Sequence, residues 1–223
     1  MNPSPMSFED WLFCIFDNDA DRVPYLLVDP DCDRLDLPLA SDYLTRLFEQ
    51  PDASLLLFND AQINAGLWYL IGQGSAVEVF GGWMASLPLD AAQRGAGAIF
   101  TVFEQLFLPR CAPCLGHRSE TSEAHPLNSV CYMWWDIIGL SWRPQSDTPR
   151  ERTLRETCLD VMARTLDLDH DACRESALHG LGHWHLGHAD QVERIIDRFL
   201  QRTPALRPEL HAYALSARQG CVL

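Results

Sequence analysis

The segment from Cys173 to Leu200, CRESALHGLGHWHLGHADQVERIIDRFL, constrains the fold more than any other. Cys173, Ala177, Leu181, Trp184 and His188 recur at three- and four-residue steps, so they share one face of a helix. Val192, Ile195, Ile196, Phe199 and Leu200 do the same for a second helix. Gly187 can supply the left-handed conformation that ends the first, and Asp190 places a carboxylate in the first turn of the second. Ala177, Gly180 and Gly182 are small enough to let a neighbouring backbone come close. The segment therefore predicts two antiparallel helices with almost no loop between them. A hairpin with one apolar side cannot bury that side alone, so further hairpins must stack on it.

The rest of the chain supplies candidates. Residues 7–17 read as a helix capped by Ser7, with Glu9 and Asp10 in its first turn. Pro24, Pro30 and Pro38 preclude a long helix in the acidic stretch that follows. That stretch lacks the glycine and glutamate of a calcium loop. Further helices are predicted over 41–50, over 53–72 with a break near Asn59, and over 90–108, where Ile99, Val102, Phe103, Leu106 and Phe107 form the core stripe. A glycine-marked loop between them could hold a short strand at Val77 to Phe80. Leu127 to Leu140 is a strongly apolar helix. Thr148 and Glu151 form a capping box ahead of the stripe Leu154, Cys158, Val161, Met162, Leu166, and Pro208 to Arg218 makes a last short helix. The expectation is an all-α chain of about nine helices, a single domain over 1–223 with an acidic, less regular part at 1–60.

The run Glu175-Ser-Ala-Leu-His-Gly-Leu-Gly-His183, followed by a short turn and a second amphipathic helix, resembles HEAT-like repeats of the phycobilisome-lyase type. A weaker echo lies at Ala65-Gly66-Leu67-Trp-Tyr-Leu70. The resemblance implies an α-solenoid, HEAT-like over 89–223, and by analogy a binding surface. Fold analogy does not give function.

Charge narrows the function. The chain carries a net −14, and residues 1–60 hold 13 acidic residues against three arginines, 3 − 13 = −10. This balance opposes nucleic-acid binding, which needs Lys and Arg to neutralise phosphate. It suits solubility, as a solvated acidic face, or steering toward a basic partner. Lysine is absent, which reads as codon bias in a GC-rich bacterial genome. The first residues, MNPSPMSFED, lack the basic and apolar regions of a secretory signal, and no apolar run reaches membrane-spanning length. A cytoplasmic protein is expected, with no disulfide framework among its eight cysteines. Cys14, Cys131, Cys158 and Cys173 sit among apolar helical neighbours and read as small buried hydrophobes.

Two clusters could carry chemistry. Cys111-Ala-Pro-Cys114-Leu-Gly-His117, with His125 or Cys131 as a fourth ligand, has the spacing of a zinc knuckle, in which Gly116 lets the chain fold back. His179 and His183, at i and i+4, can chelate a divalent ion, with Glu175 one turn earlier on the same strip. That strip lies opposite the apolar face and is expected to face solvent or a concave groove, whereas His185 and His188 fall nearer the buried side. Trp134, Trp135, Asp136 and Trp142 sit where aromatics usually fill a core, with a lined pocket as the other reading. No nucleophile elbow, phosphate loop or HExxH is present. The leading expectation is a protein-binding module, for example an immunity or inhibitor protein for a basic enzyme. Its contacts would be Glu175, His179 and His183 together with Asp29, Asp31, Asp33 and Asp36. The alternative is a metal-binding enzyme or sensor built on Cys111, Cys114, His117 and the 179–188 histidines.

Overall fold

The computed structural model of the chain describes residues 6–17, 35–71, 87–118, 125–138 and 148–222, and among them every regular element is helical. In chain order these are α1 (Phe8–Phe16), α2 (Leu37–Glu49), α3 (Pro51–Ser54), α4 (Asp60–Ile71) and α5 (Leu89–Val102). Helix α5 runs on through a π turn at Phe103–Phe107 and a last turn at Leu108–Arg110. Then come α6 (Asn128–Ile137), α7 (Pro149–Leu166), α8 (Asp171–Arg202) and α9 (Pro208–Ala217). The expected strand at Val77 to Phe80 lies outside the described residues.

Local chemistry sets the helix starts. Ser7 accepts a hydrogen bond from the Asp10 amide, and Thr148 and Glu151 close the capping box that the sequence predicts. Asn59 and Gln62 exchange side-chain-to-amide bonds at the head of α4. Helix α2 begins four residues earlier than its expected start at Ser41, because Asp36 accepts from the Leu39 amide and Pro38 sits in the first turn. A proline there loses no hydrogen bond and is preset in φ, so it starts the helix rather than blocking it.

Helix α8 lies at the centre, packed by α6, α7 and α9, while α5 packs on α2 and α7, and α4 on α1 and α6. The approach to α6 is close: a Cβ at Gly180 would meet the Trp135 side chain at 2.6 Å. At Gly182 it would meet Val222 at 2.5 Å, so the C-terminal segment is also pressed on α8. Trp134 and Trp135 are core residues, buried under Phe103 and Phe107 of the π turn.

Helix α8 bends sharply at His188 (φ −143°, ψ 36°). The His185 ring lies 3.4 Å from Glu193, and Arg174 lies over Phe199, so the arms 171–187 and 189–202 run back along each other. A straight helix would separate residues eight apart by about 12 Å. Gly187 does not adopt a left-handed conformation; among the described glycines only Gly220 has positive φ. His185 and His188 are half-buried.

Cys131, Cys158 and Cys173 are free and buried, as their neighbours in sequence suggest. Cys14 departs from that reading and from the expected lack of disulfides, because it is disulfide-bonded. No described helix is long and apolar enough to cross a membrane.

Candidate metal centre

Three side chains from two helices meet where α6 and α8 approach. The His179 Nε2 lies 2.9 Å from one oxygen of Asp136, and the His183 Nε2 lies 2.7 Å from the other. The two Nε2 atoms are 3.2 Å apart. Two nitrogens each about 2.0–2.1 Å from one tetrahedral ion would lie roughly 3.3 Å apart, so the nitrogen spacing already suits a shared metal. The two oxygen–nitrogen distances are those of hydrogen bonds, so an ion entering here displaces imidazole protons. Among the described residues this is the one group of three or more His, Cys, Asp or Glu whose ligand atoms all lie within 4.8 Å of one another.

Burial is graded across the group. His179 is enclosed, whereas 32% of the His183 side chain and 23% of Asp136 remain exposed, so one side is open. Burial pushes the Asp136 carboxyl up, but hydrogen bonds from His179 and His183 outweigh it and hold it well below the usual carboxylate range. The far nitrogen of His179, Nδ1, is 2.7 Å from the Tyr213 hydroxyl, which is 3.4 Å from the Tyr132 hydroxyl. Burial raises the pKa of both phenols, so each stays protonated. A ring nitrogen held from behind is how metal-ligating histidines are usually oriented.

The strip expected at the surface is therefore largely interior. Glu175 and His179 are each 1% exposed, because α8 is covered by helices on several sides and 172–182 is buried throughout. Glu175 makes no surface for a partner. Its Oε2 accepts from the Gly116 amide at 2.6 Å, its Oε1 from the His117 amide at 3.1 Å, and the His117 ring Nδ1 meets Oε1 as well. His117 then stacks on Tyr213 at 4.3 Å.

The expected zinc knuckle is not assembled. Cys111 is buried, Cys114 accepts from Asn128 Nδ2 at 3.2 Å, and His117 is held by Glu175. His125 points elsewhere, with its Nε2 3.1 Å from Asp60. Asn128 closes the loop instead, accepting from the Ala112 and His125 amides and donating to the Ala112 carbonyl. Gly116 is needed for the fold-back, since a Cβ there would meet the Tyr132 ring at 2.9 Å.

Of the acidic partner-binding set, Asp29, Asp31 and Asp33 lie outside the described residues, and the Asp36 carboxylate is engaged as the α2 cap. Asp136 was legible only as the single acid in the apolar run LNSVCYMWWDIIGL, and nothing in PELHAYALSA marks Tyr213. Comparison with protein-family models, curated proteins and solved structures returns no match.

Proposed function

We propose that this protein binds one divalent transition-metal ion, of the zinc or iron(II) class, through Asp136, His179 and His183, and works as a metal-dependent enzyme or metal sensor. The observation that carries the reading is the 3.2 Å approach of the two Nε2 atoms across a single carboxylate. Two imidazoles and one carboxylate leave coordination positions open, where a water or a substrate oxygen can bind. The exposed side of His183 and Asp136 supports this, as does Tyr213 behind His179. Binding neutral imidazoles, the ion releases their protons and loses affinity in acid. The architecture we infer around it is a stack of HEAT-like hairpins, of which the two arms of α8 are one.

The net charge of −14 supports a second reading, docking of a basic protein, which would weaken with added salt. It no longer draws on Glu175 or His179, which are buried.

The test is metal content by mass spectrometry on untagged protein purified without chelators, followed by titration of the stripped protein with zinc and with iron(II). One ion per chain, lost in His183→Ala, is expected. No bound metal and no saturable uptake of either ion would overturn the proposal.

A further inference from the structure

Behind the metal ligands, polar contacts run in one line through four side chains of α6, α8 and α9. The Tyr132 hydroxyl is 3.4 Å from the Tyr213 hydroxyl, which is 2.7 Å from His179 Nδ1. On the other side of the ring, His179 Nε2 is 2.9 Å from Asp136. The donors can be assigned from the carboxylate end. A carboxylate only accepts, so His179 Nε2 carries the proton, and in a neutral imidazole Nδ1 is then bare. Tyr213 donates to it. With that proton committed, the Tyr213 oxygen offers Tyr132 only its lone pairs. Their 3.4 Å contact is correspondingly slack, against about 2.7–2.8 Å for a well-formed O–H···O bond. In the metal-free chain every donor points toward Asp136.

An ion held by Nε2 is incompatible with this order. Nε2 must be bare to be a ligand, so the ring sheds one proton there and holds one at Nδ1. Nδ1 then donates to the Tyr213 oxygen, and the Tyr213 hydroxyl has to turn to a different acceptor. The other oxygen it meets is that of Tyr132. We propose that Tyr132 is a positioning residue of the metal site: it accepts from Tyr213 when a metal is bound, and so completes a reversed hydrogen-bond chain behind His179. This rests on the metal reading above and names the residue to which occupancy of that site is passed. The packing supports it. His117, held by Glu175, stacks on Tyr213 at 4.3 Å, and the Tyr132 ring lies 4.6 Å from the His179 ring. Tyr132 also fills the space beside Gly116, where a Cβ would meet its ring at 2.9 Å. The rings are thus held in place, and reversal needs only hydroxyl rotations and the closing of one slack contact. Both phenols stay protonated, so each has a hydrogen to turn. Tyr213 is only 7% exposed, so its hydroxyl proton, once displaced from Nδ1, depends on an acceptor within the protein.

The experiment compares zinc affinity in the wild type, Tyr132→Phe, Tyr213→Phe and the double variant, by competition with a chromogenic chelator. Tyr132→Phe keeps the ring and removes the acceptor. Its melting temperature in excess chelator should match the wild type, while its zinc affinity falls about ten-fold. In the Tyr213→Phe background the same change should have no further effect, because no hydroxyl proton is left to be accepted. Nitrogen NMR of isotope-labelled histidines reads the direction of the chain in the wild type. His179 should carry its proton on Nε2 in chelator and on Nδ1 once zinc is added. A wild type that binds zinc while Tyr132→Phe binds it equally well would overturn this inference alone. So would an equal loss in the Tyr213→Phe background, or a His179 proton already on Nδ1 in chelator. The NMR arm needs no variant, so it decides even where one fails to fold. A wild type without saturable zinc uptake would overturn the metal reading, and this inference with it.

Discussion

The 111–118 loop and the 175–183 stretch of α8 carry the same kinds of residue and reach opposite ends. The loop has two cysteines and a histidine at ligand spacing, yet Cys114 and His117 are engaged with protein and Cys111 is buried. Asn128 and Glu175 supply the donors and acceptors that a metal would otherwise organise. The helix has two histidines with no zincin glutamate between them, yet they share a carboxylate brought in from α6. Ligand spacing along the chain therefore counts for less than whether other side chains have already claimed the ligand atoms.

The sharpest way to break this comparison is to delete ligands from each region. His179→Ala and His183→Ala should each abolish stoichiometric metal uptake, while Cys111→Ser and Cys114→Ser should leave it unchanged. Equilibrium dialysis against zinc, followed by elemental analysis, reads both pairs. Loss of zinc in the cysteine variants would return the site to the loop.

The second effect falls on stability. Glu175→Ala removes the buried side chain that accepts from the Gly116 and His117 amides. A lost hydrogen bond costs about 1 kcal/mol, and about 1.5–3 kcal/mol where one partner is charged. A net loss of about 3 kcal/mol, or roughly 6–12 °C in Tm, is expected by thermal melting. Cys114→Ser should stay within about 1 kcal/mol, since a serine hydroxyl can still accept from Asn128 Nδ2. Equal losses in the two variants would mean that the thiol shares in holding the loop.

How far the sequence could reach follows from the range of the forces involved. Caps and stripes act over three or four residues, so Ser7, Thr148 with Glu151, and the stripe of α7 were legible. Pro38 misled because its effect depends on where in a helix it falls, and Asp36 decides that. Glu175 misled because a helical wheel assumes one wet side, whereas central α8 has cover on several. The His179–His183 pair was legible from its i, i+4 spacing. Asp136 lies 43 residues from His179 and Tyr213 lies 34, and only the packing of α6 and α9 on α8 brings them there.

A smaller effect sharpens the metal side. Tyr213→Phe removes the hydroxyl behind His179 and leaves the ring that stacks on His117. Zinc affinity should fall about ten-fold, equivalent to about 1.4 kcal/mol, with stoichiometry kept at one. Competition with a chromogenic chelator measures it. An unchanged affinity would show that His179 needs no support from α9.

The smallest effect separates the proton-held site from the metal-held one. In metal-free protein Asp136 is ionised and accepts from both imidazoles, so its folded-state pKa lies below its unfolded value. Such a group stabilises the fold above the unfolded carboxylate pKa of about 3.9, and that contribution disappears as acid protonates it in the folded state. Because the side chain is partly open to solvent, the contribution is about 1 kcal/mol rather than what a fully buried pair would give. Asp136→Asn should therefore be less stable than the wild type near pH 7, with the gap closing toward pH 3 and below. Urea melts of both proteins in chelator, from neutral pH downward, read that gap. A gap that widens in acid would mean that the carboxyl is protonated in the folded protein, and then neither imidazole is bound to an anion that could hold a cation beside it.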